Sequence, residues 1–250
     1  MMPRPDGRRN DQMREVRMTP HFQQGPAGSV LIECGQTRVA CAVSVDLKVP
    51  PWMAGRGRGW LTAEYGMLPG SSPQRIARPQ GKPDGRATEI QRLIGRSLRA
   101  MVDLQRLGEI TLQVDCDVID ADGGTRTAAI TGAAVAVVLA LAQTQARGAL
   151  PAGVPLPVHG LVAATSVGLV EGEVRLDLPY AEDHRAEVDC NLVMTSAGAL
   201  IEVQATAEHG TFGRDTLATF LELGEAGIAQ LFAQQRALLA AEGVMLPSGA

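Results

Sequence analysis

The stretch Asp115 to Thr131, DCDVIDADGGTRTAAIT, limits the possible folds more than any other part of the chain. Val114, Cys116 and Val118 alternate with Asp115 and Asp117, the period of a strand with one buried face. An acidic turn follows, then Gly123-Gly124, then a helix-forming apolar run from Ala128 to Ala142. Thr125 stands where a helix cap is expected. The paired glycines permit positive φ and let another group approach the backbone closely. Open N–H groups at a helix start, beside Arg126, suit an anion. An ordinary strand–turn–helix would carry the same letters, so the rest of the chain has to decide.

The chain is long enough for one large domain or two small ones, and 45% hydrophobic residues are enough for a sizeable core. Aromatic residues make up only 3%, which leaves little material for binding nucleic acid by stacking. Charge is unevenly spread. Residues 1–110 hold 17 basic side chains against 10 acidic, and residues 111–250 hold 6 against 17. Such asymmetry fits a half that meets a polyanion. Of the basic residues only Lys48 and Lys82 are lysine. Arginine suits phosphate, and a biased genome would give the same excess. Cys34, Cys41, Cys116 and Cys190 form no CxxC pair, so buried reduced thiols in a cytoplasmic protein are expected. The longest near-apolar run, Ile130 to Ala142, is too short to span a bilayer, so no membrane partner is expected.

Taken in order, residues 1–28 read as a polar arm that docks on the rest of the protein. Ser29–Cys34 and Thr37–Asp46 form a hairpin through Gly35-Gln36, and a short strand is placed near Leu61–Tyr65. The region 66–87 is a Pro/Gly-rich basic loop holding Arg75, Arg78, Lys82 and Arg86. Thr88 with Gln91 fits a capping box for a helix whose apolar stripe is Ile90, Leu93, Ile94, Leu98, Met101 and Val102. Arg92, Arg96 and Arg99 lie on its other face, with Arg99 read as solvated. A Pro/Gly linker near residue 150 divides the chain into halves of similar plan, about 1–150 and 151–250, within a single domain. The second half reads as strands Val158–Val170 and Glu173–Asp177, an acidic loop PYAEDHRAEVD, strands Ala186–Met194 and Ala199–Thr206, and a helix Arg214–Ala241.

Two constellations can carry chemistry. Arg86 with Gly123, Gly124, Thr125 and Arg126 offers guanidinium groups, amides and a hydroxyl to a phosphate. Glu182, Asp183, Glu187 and Asp189 crowd four carboxylates together, with Asp183 and Asp189 as the favoured pair. Oxygen-only ligands point to Mg²⁺ or Mn²⁺, while a solvated acidic loop paired with Arg185 remains the plain alternative. No Walker-type loop, HExxH or Gly-x-Ser-x-Gly elbow occurs. An EF-hand reading of Asp120 to Gly123 fails at its first and last positions, Val118 and Ala129.

Five segments together resemble the ribonuclease PH family. They are PDGR from Pro5, GWLTAEYGMLP from Gly59, EIQRLIGRSLRA from Glu89, DCDVIDADGGTRTAAITGA from Asp115 and EDHRAEVDCNLVMT from Glu182. The resemblance runs from about Arg4 to Ile228. It implies an α+β chain with the ribonuclease PH fold: two similar β-α halves, mixed sheets and packed helices. It implies phosphate-dependent 3′-to-5′ trimming of tRNA precursors and other RNA 3′ ends, with inorganic phosphate as co-substrate and nucleoside diphosphates as products. It places phosphate at Arg86, Gly124, Thr125 and Arg126, and a divalent ion at the catalytic pair Asp183 and Asp189. Arg75 and Arg78 are then expected to grip RNA, with Arg92 and Arg96 as further contacts. A homohexamer built as a trimer of dimers is also implied. Two positions depart from the family pattern: Pro179 stands where Asp is usual, and Gly70 where Arg is usual. Both bear on RNA affinity more than on the chemistry.

Overall fold

Segments of strand periodicity assemble into two sheets, and the apolar helices fill the space between and behind them. The computed structural model describes residues 4–78 and 84–247. The first set of elements is β1 (Val16–Pro20), β2 (Gly28–Cys34), β3 (Thr37–Asp46), β4 (Trp60–Met67), α1 (Gly85–Met101), α2 (Leu104–Leu107), β5 (Thr111–Asp120) and α3 (Thr125–Ala146). The second is β6 (Val162–Val170), β7 (Glu173–Leu176), α4 (Tyr180–Asp183), β8 (Val188–Thr195), β9 (Leu200–Ala207) and α5 (Arg214–Ala241).

The first sheet has the order β1-β2-β3-β5-β4. Only β4 and β5 run parallel, and the crossover that this requires is supplied by α1 and α2. The second sheet, β7-β6-β8-β9, is antiparallel throughout. Of the expected mixed sheets, therefore, only the first is mixed.

α3 lies between the two sheets, packed on β2 and β3 of one and β6 of the other. It is buried on nearly every side, which explains a helix with no polar stripe. Gly28 lets strand and helix touch: a Cβ there would sit 2.2 Å from Ala136 O. β7 pairs with β6 only from Val167 onward, which leaves Ala164 without a strand on that side. Thr131 of α3 fills the gap, its hydroxyl accepting from Ala164 N at 3.0 Å and facing Ala164 O at 3.3 Å. Gln235 of α5 then donates to Thr131 O and Val162 O, at 2.9 and 3.0 Å. At 22 residues α3 exceeds the apolar run seen in the sequence and is long and apolar enough to cross a bilayer. Its most apolar window is 89% buried within the protein, so its apolarity has an internal cause.

Several expectations need correction. The arm does dock, but it also contributes an unforeseen strand, β1, which pairs with β2. α1 begins at Gly85, not Thr88, because the Asp84 carboxylate caps it by accepting from Arg86 N at 3.2 Å. Thr88 sits inside the helix and its hydroxyl donates back to Asp84 O at 2.9 Å. α3 is capped by Gly124 in a left-handed conformation, leaving Thr125 as the first helical residue. β6 starts at Val162, and Val158 forms only an isolated bridge to Val102. Part of the acidic loop is the helix α4. Arg99 is not a solvated charge: it lies 5.0 Å over the Trp60 ring and donates to Leu61 O at 3.0 Å. All four cysteines are buried free thiols.

Candidate active site

The turn between β5 and α3 holds two successive residues of positive φ, Gly123 at 74° and Gly124 at 67°. Only glycine adopts this without strain. Gly123 meets a second need as well. A Cβ there would lie 2.5 Å from Leu178 O and 2.8 Å from Tyr180 N, so the turn lies directly against the chain that enters α4. Tyr180 N also donates to the Asp122 carboxylate at 3.1 Å. The acidic element of the second half is thus fastened to the glycine turn of the first.

No side chain caps the start of α3. Its first-turn N–H groups and the positive end of the helix dipole therefore face outward together. Thr125 Oγ1 lies 2.8 Å from the Tyr65 hydroxyl. Burial pushes the Tyr65 phenol up, while Thr125 and the nearby charges of Arg86 and Arg126 oppose it. Arg126 is largely buried, and its Nη1 donates to Gln204 Oε1 at 2.7 Å and reaches Glu89 Oε1 at 3.4 Å. Arg86 is exposed on the first turn of α1.

α4 is clamped from below. Glu182 is fully buried and binds Arg4 through both oxygens, at 3.1 and 2.7 Å, and Arg175 at 3.0 Å. The next residue, Asp183, lies within range of the charges of Arg86 and Arg126. Burial raises its carboxyl above the ordinary value, and Arg86, Arg126, Arg14 and His184 pull it back down. Asp189, on β8, is also raised by burial, and further by Asp183 and Glu208, with Arg126 acting against them. Asn191, two residues along the same face, reaches the Asp189 carboxylate at 3.5 Å and pairs in register with Gln204, the partner of Arg126.

The structure therefore brings Arg86, Gly124, Thr125, Arg126, Asp183 and Asp189 to one place. Among the described residues, none of the other predicted arginines is hydrogen-bonded to this group. Arg75 and Arg78 are exposed on the loop after β4, Arg92 is exposed on α1, and Arg96 is paired with Glu202 at 2.9 Å. Lys82, expected in the basic loop, lies outside the described residues. Among the described residues no group of three or more His, Cys, Asp or Glu side chains is placed to hold a metal ion.

Sequence reading missed Arg14 and Asp177. Asp177 accepts from Arg14 Nη2 at 2.6 Å, Arg14 Nε at 2.9 Å and Arg14 N at 2.8 Å. The same guanidinium donates to Asp122 O at 2.5 Å and Gly123 O at 3.4 Å, which holds the glycine turn from behind. Gln204, Glu89 and Tyr65 were missed too. Tyr65 and Glu89 stand in segments quoted for the resemblance but were given no role, and only the fold brings the three to Arg126 and Thr125.

Comparison with known proteins places the chain in a family. The 3′ exoribonuclease family model matches in two parts, domain 1 over residues 12–144 and domain 2 over residues 160–227. Ribonuclease PH of Nocardia farcinica is 54% identical over 96% of this chain and 93% of its own length. Ribonuclease PH of Saccharopolyspora erythraea is 54% identical over the whole of both chains. Among solved structures, rice (Oryza sativa) Rrp46 superposes with a TM-score of 0.76 at 22% identity, covering 94% of this chain and 100% of that one. An Archaeoglobus fulgidus exosome with RNA bound to its active site gives 0.76 at 22% identity, covering 93% and 92%. These two establish the shared two-sheet fold. With both domain models matched and more than half of all positions shared with full-length relatives, the chain belongs to the 3′ exoribonuclease family, in its ribonuclease PH branch.

Proposed function

We propose that this site shortens the 3′ end of tRNA precursors by phosphorolysis. One observation carries the reading: the glycine turn lies against the chain entering α4, which puts Asp183 within range of the charges of Arg86 and Arg126, and Asp189 within range of Arg126. Inorganic phosphate binds the guanidinium groups, the Thr125 hydroxyl and the open amides at the start of α3. Arg126 is already oriented by Gln204 and Glu89, so little ordering remains to be done on binding. A phosphate oxygen attacks the last phosphodiester in line, a P–O–P bond forms, and the bond to the 3′ oxygen breaks. The proton of hydrogen phosphate is matched by the one the departing 3′ oxygen takes up. Phosphate is itself an anionic nucleophile, so no strong general base is needed. The products are a shortened RNA and a nucleoside diphosphate, and excess diphosphate reverses the reaction.

The acid pair fits a divalent cation. The Asp183 carboxylate pushes that of Asp189 up, which calls for a positive neighbour, and oxygen-only donors suit Mg²⁺ or Mn²⁺. Mg²⁺ is commonly held by one or two carboxylates together with substrate phosphate oxygens, which matches the pair Asp183 and Asp189. Such an ion, when bound, neutralises charge on the phosphoryl oxygens. Asp183 is held for this by the buried Glu182 beside it, and Asp189 by its place on β8. Exposed Arg75, Arg78 and Arg92 are positioned to attract the RNA backbone. A homohexameric ring is part of the same proposal, supported by structural likeness to an archaeal exosome core with a TM-score of 0.73.

A product assay tests the reading. The full chain is incubated with a tRNA precursor and Mg²⁺, with and without inorganic phosphate. Nucleoside diphosphates that appear only with phosphate are expected. Monophosphates formed without phosphate would show hydrolysis and end the proposal.

A further inference from the structure

Aromatic residues are scarce, yet both tyrosines of the chain stand at this site. Tyr65 is 5% exposed and bonded to Thr125; Tyr180 is 61% exposed. Tyr180 opens α4, and its ring lies 5.2 Å from that of His184 at an interplanar angle of 25°, a stacked pair. The backbone beneath the pair is hydrogen-bonded on both sides. Tyr180 N donates to Asp122, and Tyr180 O accepts from His184 N at 3.2 Å and from the His184 ring at 2.6 Å through Nδ1. A carbonyl can only accept, so the imidazole carries its proton on Nδ1. Tyr180, Asp183 and His184 fall at i, i+3 and i+4, which places them on one side of the helical turn. That side is the one on which Asp183 meets Arg86 and Arg126.

An isolated exposed aromatic needs no explanation. This one is part of a preformed flat π surface one helical turn from a carboxylate assigned to the scissile phosphodiester. We propose that the Tyr180–His184 pair is a stacking platform for the base of the 3′-terminal nucleotide, the one that leaves as a diphosphate. The proposal rests on the phosphorolytic reading and deepens it. The terminal base is joined through one ribose to the phosphorus under attack, so it must lie beside the acid pair. Stacking also suits an exonuclease, because every base presents a π face and none is preferred by hydrogen bonding. Asp122 and His184 hold the Tyr180 backbone, and the ring is already stacked on His184, so less side-chain freedom is lost on binding.

The test uses the full chain, saturating phosphate and two RNA oligomers, one with an ordinary terminal nucleotide and one abasic at that position. Wild type is expected to favour the base-bearing end in kcat/KM by roughly tenfold or more. Tyr180→Ala and Tyr180→Leu should lose most of that preference while the KM for phosphate stays unchanged. Tyr180→Phe, which keeps the ring, should restore it. A Tyr180→Ala or Tyr180→Leu enzyme that still discriminates against the abasic end would overturn the platform, as would a wild type with no preference. The two readings fail separately: wild type making monophosphates without phosphate removes phosphorolysis, while the abasic comparison still reports on the platform.

Discussion

Replacing Asp177 by Asn tests the fastening of the site most directly. Asp177 is 4% exposed, lies at φ 53° and carries the carboxylate that neutralises Arg14 and assists Arg8. Asn has the same shape and also tolerates the left-handed region, so the change isolates the charge. It leaves Arg14, with a side chain 6% exposed, without its main counter-ion. Removing one partner of a buried pair costs about 3–5 kcal/mol. The Asp122 carboxylate, 3.9 Å from Arg14, remains as partial compensation, which places the cost at the low end, ~3 kcal/mol. For a chain of this length that lowers the melting temperature by roughly 6–12 °C. Urea denaturation of both proteins near neutral pH measures it. The size of the effect should also depend on pH. Burial alone would raise the Asp177 carboxyl, but hydrogen bonds and charge from Arg14, with Arg8 adding, hold it below its ordinary value of 3.8. A lowered folded value means its contribution is fully present above the unfolded value and fades as pH falls through the folded one. The gap between wild type and variant should therefore close in acid. Neutralising both partners with Arg14→Met and Asp177→Asn should cost less than the sum of the single changes. A cost under about 1 kcal/mol for Asp177→Asn, with additive behaviour in the double variant, would refute the reasoning.

Other expectations concern the chemistry. Arg126→Ala should raise the KM for phosphate on the order of ten- to 100-fold, the loss of a charge-assisted contact, and initial rates against phosphate concentration measure it; an unchanged phosphate dependence would remove Arg126 from the pocket. Asp189→Asn should abolish turnover while RNA is still retained in a filter-binding assay, and normal turnover with Mg²⁺ would contradict the ligand assignment. Because burial raises Asp183 and Asp189, both take up protons at a higher pH than free carboxylates. Activity should then decline toward acid from a midpoint above 3.8, and the midpoint should move down as Mg²⁺ is raised. A midpoint independent of Mg²⁺ would separate those carboxylates from the cation.

What the sequence revealed is what periodicity and special residues encode. The hairpin through Gly35-Gln36, the apolar stripe of α1 and the bounds of α5 follow from alternation, 3.6-residue spacing and turn letters. The glycine turn and both acids were legible because few other residues serve at those positions. The parts that were not legible depend on distant partners. β1 does alternate, with Val16 and Met18 turned inward and Arg17 and Thr19 outward, but it is only five residues ending in a proline, and the edge that β2 offers is what settles it as a strand. α1 begins early because Asp84 outcompetes Thr88 for the cap, a choice that two equally good capping residues cannot settle locally. Gln204 becomes a site residue only because β9 pairs with β8 in a register that sets it opposite Asn191. Tyr180 was undervalued for a different reason: a low aromatic percentage says nothing about where the few aromatics stand.

Charge asymmetry along the chain also changes meaning once the fold is known. The basic excess of the first 110 residues reads as an RNA-binding surface, yet a good part of it faces inward. Arg4 and Arg14 are buried and neutralised by Glu182 and Asp177, both from the acidic second half. Arg8 joins the same set, and Arg96 meets Glu202 across the halves. Opposite charges thus add to the apolar packing of α3 in joining the two halves, and several of these pairs lie beside the glycine turn and α4. What remains for RNA in this region is the exposed set around Arg75, Arg78, Arg86 and Arg92. Only contacts that displace counterions from phosphates set the salt dependence of binding. The surface available to RNA is therefore smaller than the count of basic residues implies, and it lies on the loop and helix that lead into the site. Under the proposed function, such a layout would attract RNA toward the glycine turn without holding a long stretch of it.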